Sequence, residues 1–205
     1  MNTQVMPTGP EWFGHPRGLF VCFATEMWER FSFYGMKYLL VLFLVQHHLF
    51  TDGEALRILG VYTALVYATP LLGGIVSDRY LGQTHAVKLG GILLVLGHCA
   101  MAFEGIPASE TVGGDIVRDQ EAIKVFYFAL ALIVVGVGLL KPNISTVVGR
   151  LYNDDDPRRD GGFTIFYMGI NVGAASAALL CGWLASAYGW SYGFGAAGIG
   201  MLIGL

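Results

Sequence analysis

Two stretches without a single Asp, Glu, Lys or Arg, residues 58–77 and 161–205, decide what this chain can fold into. A helix crosses the hydrocarbon of a bilayer in about 20 residues, so the first run holds one span and the second holds two. The chain is 55% apolar and only 13% charged, with a mean hydropathy of +0.58. A soluble domain would need far more polar surface. The reading is therefore an all-α integral membrane protein with the lipid bilayer as its solvent. A net charge of −3 gives no reason to expect a nucleic-acid partner.

Hydropathy and helix breakers together predict six transmembrane helices over residues 19–47, 54–77, 86–103, 122–149, 161–187 and 191 onward. Asp52 and Asp160 are the expected N-caps of the second and fifth. With the N-terminus inside, the inner segments hold Arg17, Arg79, Lys88, Arg150, Arg158 and Arg159, against Arg57, Arg118 and Lys124 outside. Residues 1–18 then form a cytoplasmic segment and residues 19–205 the six-helix bundle. The opening segment is polar and holds Pro7, Pro10 and Pro16, so no cleavable leader is expected and the first span acts as its own insertion signal. Leu205 stands inside the sixth apolar run with no polar residue after it, so the chain is expected to be half of something larger. A natural six-helix unit is the alternative.

Against this apolar background the first span carries Glu26, Glu29 and Arg30. A charge at the bilayer centre costs about 2.5 to 3.5 kcal/mol on insertion scales, so such groups persist only when paired or facing water. Glu26 and Arg30 are at i,i+4, and Tyr34 and Lys37 continue the stripe. An internal ion pair that fixes helix packing would explain one pair. Lys141, followed by Pro142 and Asn143 in the fourth span, makes that explanation too small, because two acids and three bases now lie within two spans. The cluster reads as a substrate and ion pathway.

Other residues carry competing readings. Gly74, Asp78, Arg79 and Gly82 close the second span, either as an ordinary charged turn or as a latch. Gly169 and Gly173 have GxxxG spacing, which close packing explains, whereas Asn171 between them offers a donor and an acceptor, as a peptide backbone requires. Tyr62 reads as core and Tyr67, three residues before Pro70, as a cavity hydroxyl. His47 and His48 read as a solvated helix end rather than a metal pair, and His98 as a hydrogen-bonded packing residue. Cys22, Cys99 and Cys181 read as buried small apolar residues. There is no Walker loop, nucleophile elbow or metalloprotease pattern, so no enzyme activity is expected.

Taken together, Glu26-x-x-Glu29-Arg30-Phe31-x-x-Tyr34-Gly35, the Asp78-Arg79 turn, Gly138-Leu139-x-Lys141-Pro142-Asn143 and Phe166-Tyr167-x-x-Ile170-Asn171-x-Gly173 resemble the proton-dependent oligopeptide transporters. These belong to the major facilitator superfamily, whose G-x-x-x-D-R-x-x-G loop is similar to the segment from Gly74 to Gly82. The resemblance implies the N-terminal six-helix half of a twelve-helix transporter, with a second six-helix bundle as partner. It implies symport of di- and tripeptides by alternating access, with protons as the coupling ion and no other cofactor. It also implies a bacterial inner-membrane location with the N-terminus in the cytoplasm. Glu26, Glu29, Arg30 and Lys141 would then couple protons. Arg30 and Lys141 would also attract the peptide carboxylate, with Tyr34, Lys37, Tyr67 and Asn171 around the substrate. Gly74, Asp78, Arg79 and Gly82 would form the cytoplasmic gate. Phe33 departs from the family's usual tyrosine and removes a hydroxyl. A relative that carries another anion such as nitrate, or a non-transporting six-helix subunit, are the alternatives.

Overall fold

In a computed structural model, which describes residues 10–205, the chain is an antiparallel succession of six α-helices. They are α1 (Arg17–Gln46), α2 (Asp52–Val76), α3 (Gln83–Met101), α4 (Gln120–Gly149), α5 (Arg159–Tyr188) and α6 (Trp190–Gly204). Two minimal hairpins complete it. β1 (Glu11–Trp12) pairs with β2 (His15–Pro16) before α1, and β3 (Ser109–Glu110) pairs with β4 (Ile116–Val117) between α3 and α4. Four helical stretches are long and apolar enough to cross a membrane: Asp52–Leu81, Gln83–Met101, Gln120–Gly149 and Arg159–Tyr188. α1 falls outside that set because its charges interrupt it, and α6 because it has 15 residues.

The capping differs from the sequence expectation. Thr51, not Asp52, caps α2: its hydroxyl accepts from the Glu54 amide while the Glu54 carboxylate accepts from the Thr51 amide, a reciprocal capping box. Asp160 lies inside the first turn of α5, and Arg158 at the cap position makes no capping bond. Asp119 does cap α4, accepting from Glu121 and Ala122. The α2 helix does not stop at a loop but runs into a π-helical turn, Ser77–Leu81. Gly82 ends that turn with φ +71°, a conformation that suits glycine, and its amide donates to the Ser77 carbonyl at 2.8 Å.

α1 packs chiefly along α5 and α6, while α4 packs chiefly along α3 and α2. Glycines set how close these pairs come. A Cβ at Gly73 would strike the Gly138 carbonyl of α4, and one at Gly173 the Met27 carbonyl of α1. Gly169 sits likewise against the Phe23 carbonyl, so both glycines of the GxxxG serve packing against α1. Pro142 has no N–H to offer the Gly138 carbonyl, and it is this freed carbonyl that Gly73 of α2 approaches.

The opposite end of the bundle is more buried than its sequence suggested. His47 and His48 are not solvated: they pack around Phe43, with Phe126, Trp190 and Phe194 on the same ring. The long α3–α4 connection folds over them, Arg118 donating to the carbonyls of His48 and Leu49 at 2.7 and 2.8 Å. His98 is buried as expected, but its Nδ1 has no hydrogen-bond partner among the described residues. Cys22 and Cys181 are buried, whereas Cys99 is exposed, its Sγ beside Gly198 of α6.

Candidate functional site

α1 and α4 touch only sparsely: Phe43 meets Phe126 at one end, and in the middle of the bundle charge joins them. Lys141 Nζ of α4 lies 2.7 Å from Glu26 Oε1 of α1 and 4.0 Å from Glu29 Oε2. Arg30 forks onto its neighbour Glu29, with Nη2 donating to Oε1 at 2.7 Å and Nε to Oε2, while Nε also stands 3.5 Å from Glu26 Oε1. Glu26 and Glu29 are each 1% exposed and Arg30 6%, whereas the Lys141 side chain keeps 33% of its surface. Two carboxylates and two cations thus close into one neutral group. Its least enclosed member is the one from the other helix. Glu26 Oε2 is left without a partner among the described residues, so this acid has one oxygen to spare.

Beneath the cations lies Phe33. Arg30 Cζ stands 4.9 Å and Lys37 Nζ 5.9 Å from the centre of its ring, a geometry in which the ring face attracts both. The residue read as a lost hydroxyl is therefore a platform, legible in the i,i+3 spacing from Arg30 and the i,i+4 spacing to Lys37. Tyr34 is half-buried and stacks with Tyr38 at 6.1 Å. Tyr62 is buried as expected and stacks on Phe33 at 6.3 Å.

Two predicted site residues stand apart from this group. Tyr67 is 69% exposed, since five residues beyond Tyr62 is about 140° round a helix. Asn171 is exposed too, rather than buried, and its amide donates to the Tyr167 carbonyl at 3.3 Å. Both lie on faces of α2 and α5 that nothing among the described residues covers. At the other predicted location, Gly74 is within van der Waals reach of Pro142, while Asp78 and Arg79 are exposed and make no ion pair among the described residues.

Against known families, residues 84–205, more than half of the chain, match the model described as the POT family. The chain is 45% identical over 205 residues to the peptide transporter YePEPT of Yersinia enterocolitica, covering 97% of this chain and 37% of that protein. It is 42% identical over 207 residues to a di-/tripeptide transporter of Lactococcus lactis, covering 97% and 38%. An uncharacterized transporter of Bacillus subtilis, YclF, is 44% identical over 211 residues, covering 100% and 40%. A crystal structure of a peptide transporter POT in complex with sulfate superposes with a TM-score of 0.85 at 42% identity, over 95% of this chain and 37% of that one. The chain belongs to the POT family. POT members are integral membrane transporters rather than enzymes, and this chain spans about two-fifths of the length of the relatives it matches, corresponding to their N-terminal part.

Two features of this POT chain have no counterpart in the sequence reading. Ser77 Oγ lies 2.6 Å from Asn143 Oδ1 and 2.8 Å from the Gly74 carbonyl, while Asn143 Nδ2 donates to the Leu139 carbonyl at 2.7 Å. This ties the end of α2 to α4 two residues beyond Lys141. The β1–β2 hairpin is clasped to the α4–α5 connection by Arg158, which reaches Glu11 and the Gly14 carbonyl at 2.9 Å each, and by a 2.8 Å bond between His15 Nδ1 and Tyr152 Oη. Nothing in residue spacing signals partners 66 to 147 positions apart.

Proposed function

We propose that the whole protein moves di- and tripeptides across a bacterial cell membrane by proton-coupled symport, with this chain as its N-terminal six-span bundle. Residues 1–18 lie in the cytoplasm, and a second six-helix bundle completes the cavity. The observation that carries the reading is the four-charge group: Lys141 of α4 on Glu26 of α1 and Arg30 on Glu29, buried where α1 and α4 otherwise touch sparsely. A carboxylate that takes a proton no longer holds its cation. The released Lys141 or Arg30 then binds the substrate carboxylate, and loss of the proton restores the pair and expels the substrate. Each ligand thus favours a different state, as alternating access requires.

Family membership supports peptide substrates, since two of the relatives are peptide transporters by name. A POT family transporter solved with 5-aminolevulinic acid, at a TM-score of 0.79 and 35% identity, supports a cation pair that selects a carboxylate. In this scheme Tyr34, Lys37, Tyr67 and Asn171 surround the peptide, the last two from faces that the second bundle would enclose. Gly74, Asp78, Arg79 and Gly82 latch the cytoplasmic side. Protons are the only coupling ion.

The test is uptake of labelled dialanine into proteoliposomes holding the full-length parent under an imposed inward proton gradient. Accumulation above equilibrium that unlabelled dipeptide suppresses, and that nitrate does not, is the expected result. Suppression by nitrate alone would assign the site to another anion.

A further inference from the structure

One turn beyond Lys141 on α4 is Ser145, and a further turn on is Gly149, about 6 and 12 Å along the helix axis. On α5 the same step leads back from Asn171 to Tyr167 and Phe163, which stack at 6.2 Å. These two stripes converge on a cleft of about 590 Å³ at the end of the bundle that bears the α4–α5 connection. The volume is in the range of small-molecule sites. Two arginines stand at its rim. Arg159 Nη2 comes within 3.7 Å of where a Gly149 Cβ would be, so its guanidinium lies along the α4 backbone. Its only ion-pair partner among the described residues is Asp154, at 2.9 Å, whose side chain is 95% exposed. Arg150 also lines the cleft, and its side chain makes no hydrogen bond or ion pair among the described residues.

Two guanidiniums lining one cleft with Phe163 and Tyr167, and one solvated acid paired to Arg159, offer forked donors to an oxyanion and an excess of one positive charge. We propose that this cleft is a second oxyanion site, which receives the carboxylate of a substrate that has left Lys141. The assignment of the occupant rests on the transport reading above. The binding chemistry does not. Free inorganic phosphate and the phosphate of an anionic lipid headgroup share that chemistry, and they are separated by measurement. Ser145, one turn from Lys141, itself lines the cleft, so a carboxylate meets a hydroxyl between the first cation and the second.

The experiment titrates inorganic phosphate and acetate against the full-length protein in lipid-free detergent and follows the thermal unfolding midpoint. Lys141→Ala removes the first carboxylate site, and in that background the response is expected to persist, while adding Arg150→Gln or Arg159→Gln weakens the apparent affinity about tenfold, the loss of one charge-assisted hydrogen bond. Arg150→Lys, which keeps the charge without the fork, should fall between, and it serves if the glutamine variants fold poorly. If the phosphate response disappears in nanodiscs containing phosphatidylglycerol and persists in phosphatidylcholine, the lipid headgroup fills the site. If it persists in both, a free oxyanion does. Equal affinity in Lys141→Ala with and without the two glutamine substitutions, or a response abolished by Lys141→Ala alone, overturns the proposal. Failure of the transport reading shows elsewhere, as wild-type protein that moves no dialanine while its phosphate titration is unaffected.

Discussion

The chemistry of this chain is concentrated in single side chains whose partners decide their meaning. The i,i+4 spacing of Glu26 and Arg30 is legible in the sequence, and so is the presence of Lys141 as a second cation. Which acid takes which cation is not. Arg30 turns its fork to Glu29, its immediate neighbour, which frees Glu26 for Lys141 at 2.7 Å. That choice depends on where α4 lies, 115 residues away in sequence. Tyr67 and Asn171 were legible as polar groups without an obvious structural role, but not as groups open on the surface of this bundle. Phe33 carries a test of its own. Phe33→Leu keeps the bulk and removes the ring face, and should weaken the hold on Arg30 and Lys37 by about 1 kcal/mol, read as a lower unfolding midpoint at low salt. Gly73→Ala drives a methyl group into the Gly138 carbonyl and should destabilise the α2–α4 contact by about 1 to 3 kcal/mol on the same scale.

Helix ends were less legible than helix interiors, and for a physical reason. Apolar periodicity marks where a span lies, but the cap is chosen by backbone geometry. At the start of α2 both Thr51 and Asp52 could serve, and the residue in extended conformation, Thr51 with ψ 153°, does. Thr51→Ala should therefore cost about 1 kcal/mol and speed amide exchange over residues 52–55, whereas Asp52→Ala should not. The His47–His48 end shows the same limit: polarity in sequence suggested water, yet the α3–α4 connection covers it. Burial there, with His47 and Arg118 adding like charge, holds the His48 imidazole down at about 4 from an ordinary 6.5, and Asp119 offsets only part of this. A value lowered by folding means that stability is complete above about pH 6.5 and is lost as pH falls toward 4. The unfolding midpoint should drop across that window. The drop should be smaller in His48→Phe.

For the whole molecule, apolar runs separated by polar breaks made the six-helix order readable from the sequence, and the family match supplies the fold class. Four helical stretches meet the length and apolarity of a span by themselves. α1 and α6 do not, α1 because its charges interrupt the apolar run and α6 because it is short, and their status as spans belongs to the proposed topology. Cysteine labelling of the full-length protein in intact cells checks it: Asp78→Cys and Asp155→Cys should be shielded from an impermeant reagent, and Thr111→Cys should react. The central claim is that the Glu26–Lys141 and Glu29–Arg30 pairs convert protonation into release of a cation for the substrate. The most direct measurement is proton entry into proteoliposomes on adding dialanine, with wild type beside Glu29→Gln and Lys141→Ala in the full-length protein. Dialanine-dependent proton entry in wild type, abolished in both variants although they insert normally, is the predicted result. Wild-type proton entry in either variant would contradict it.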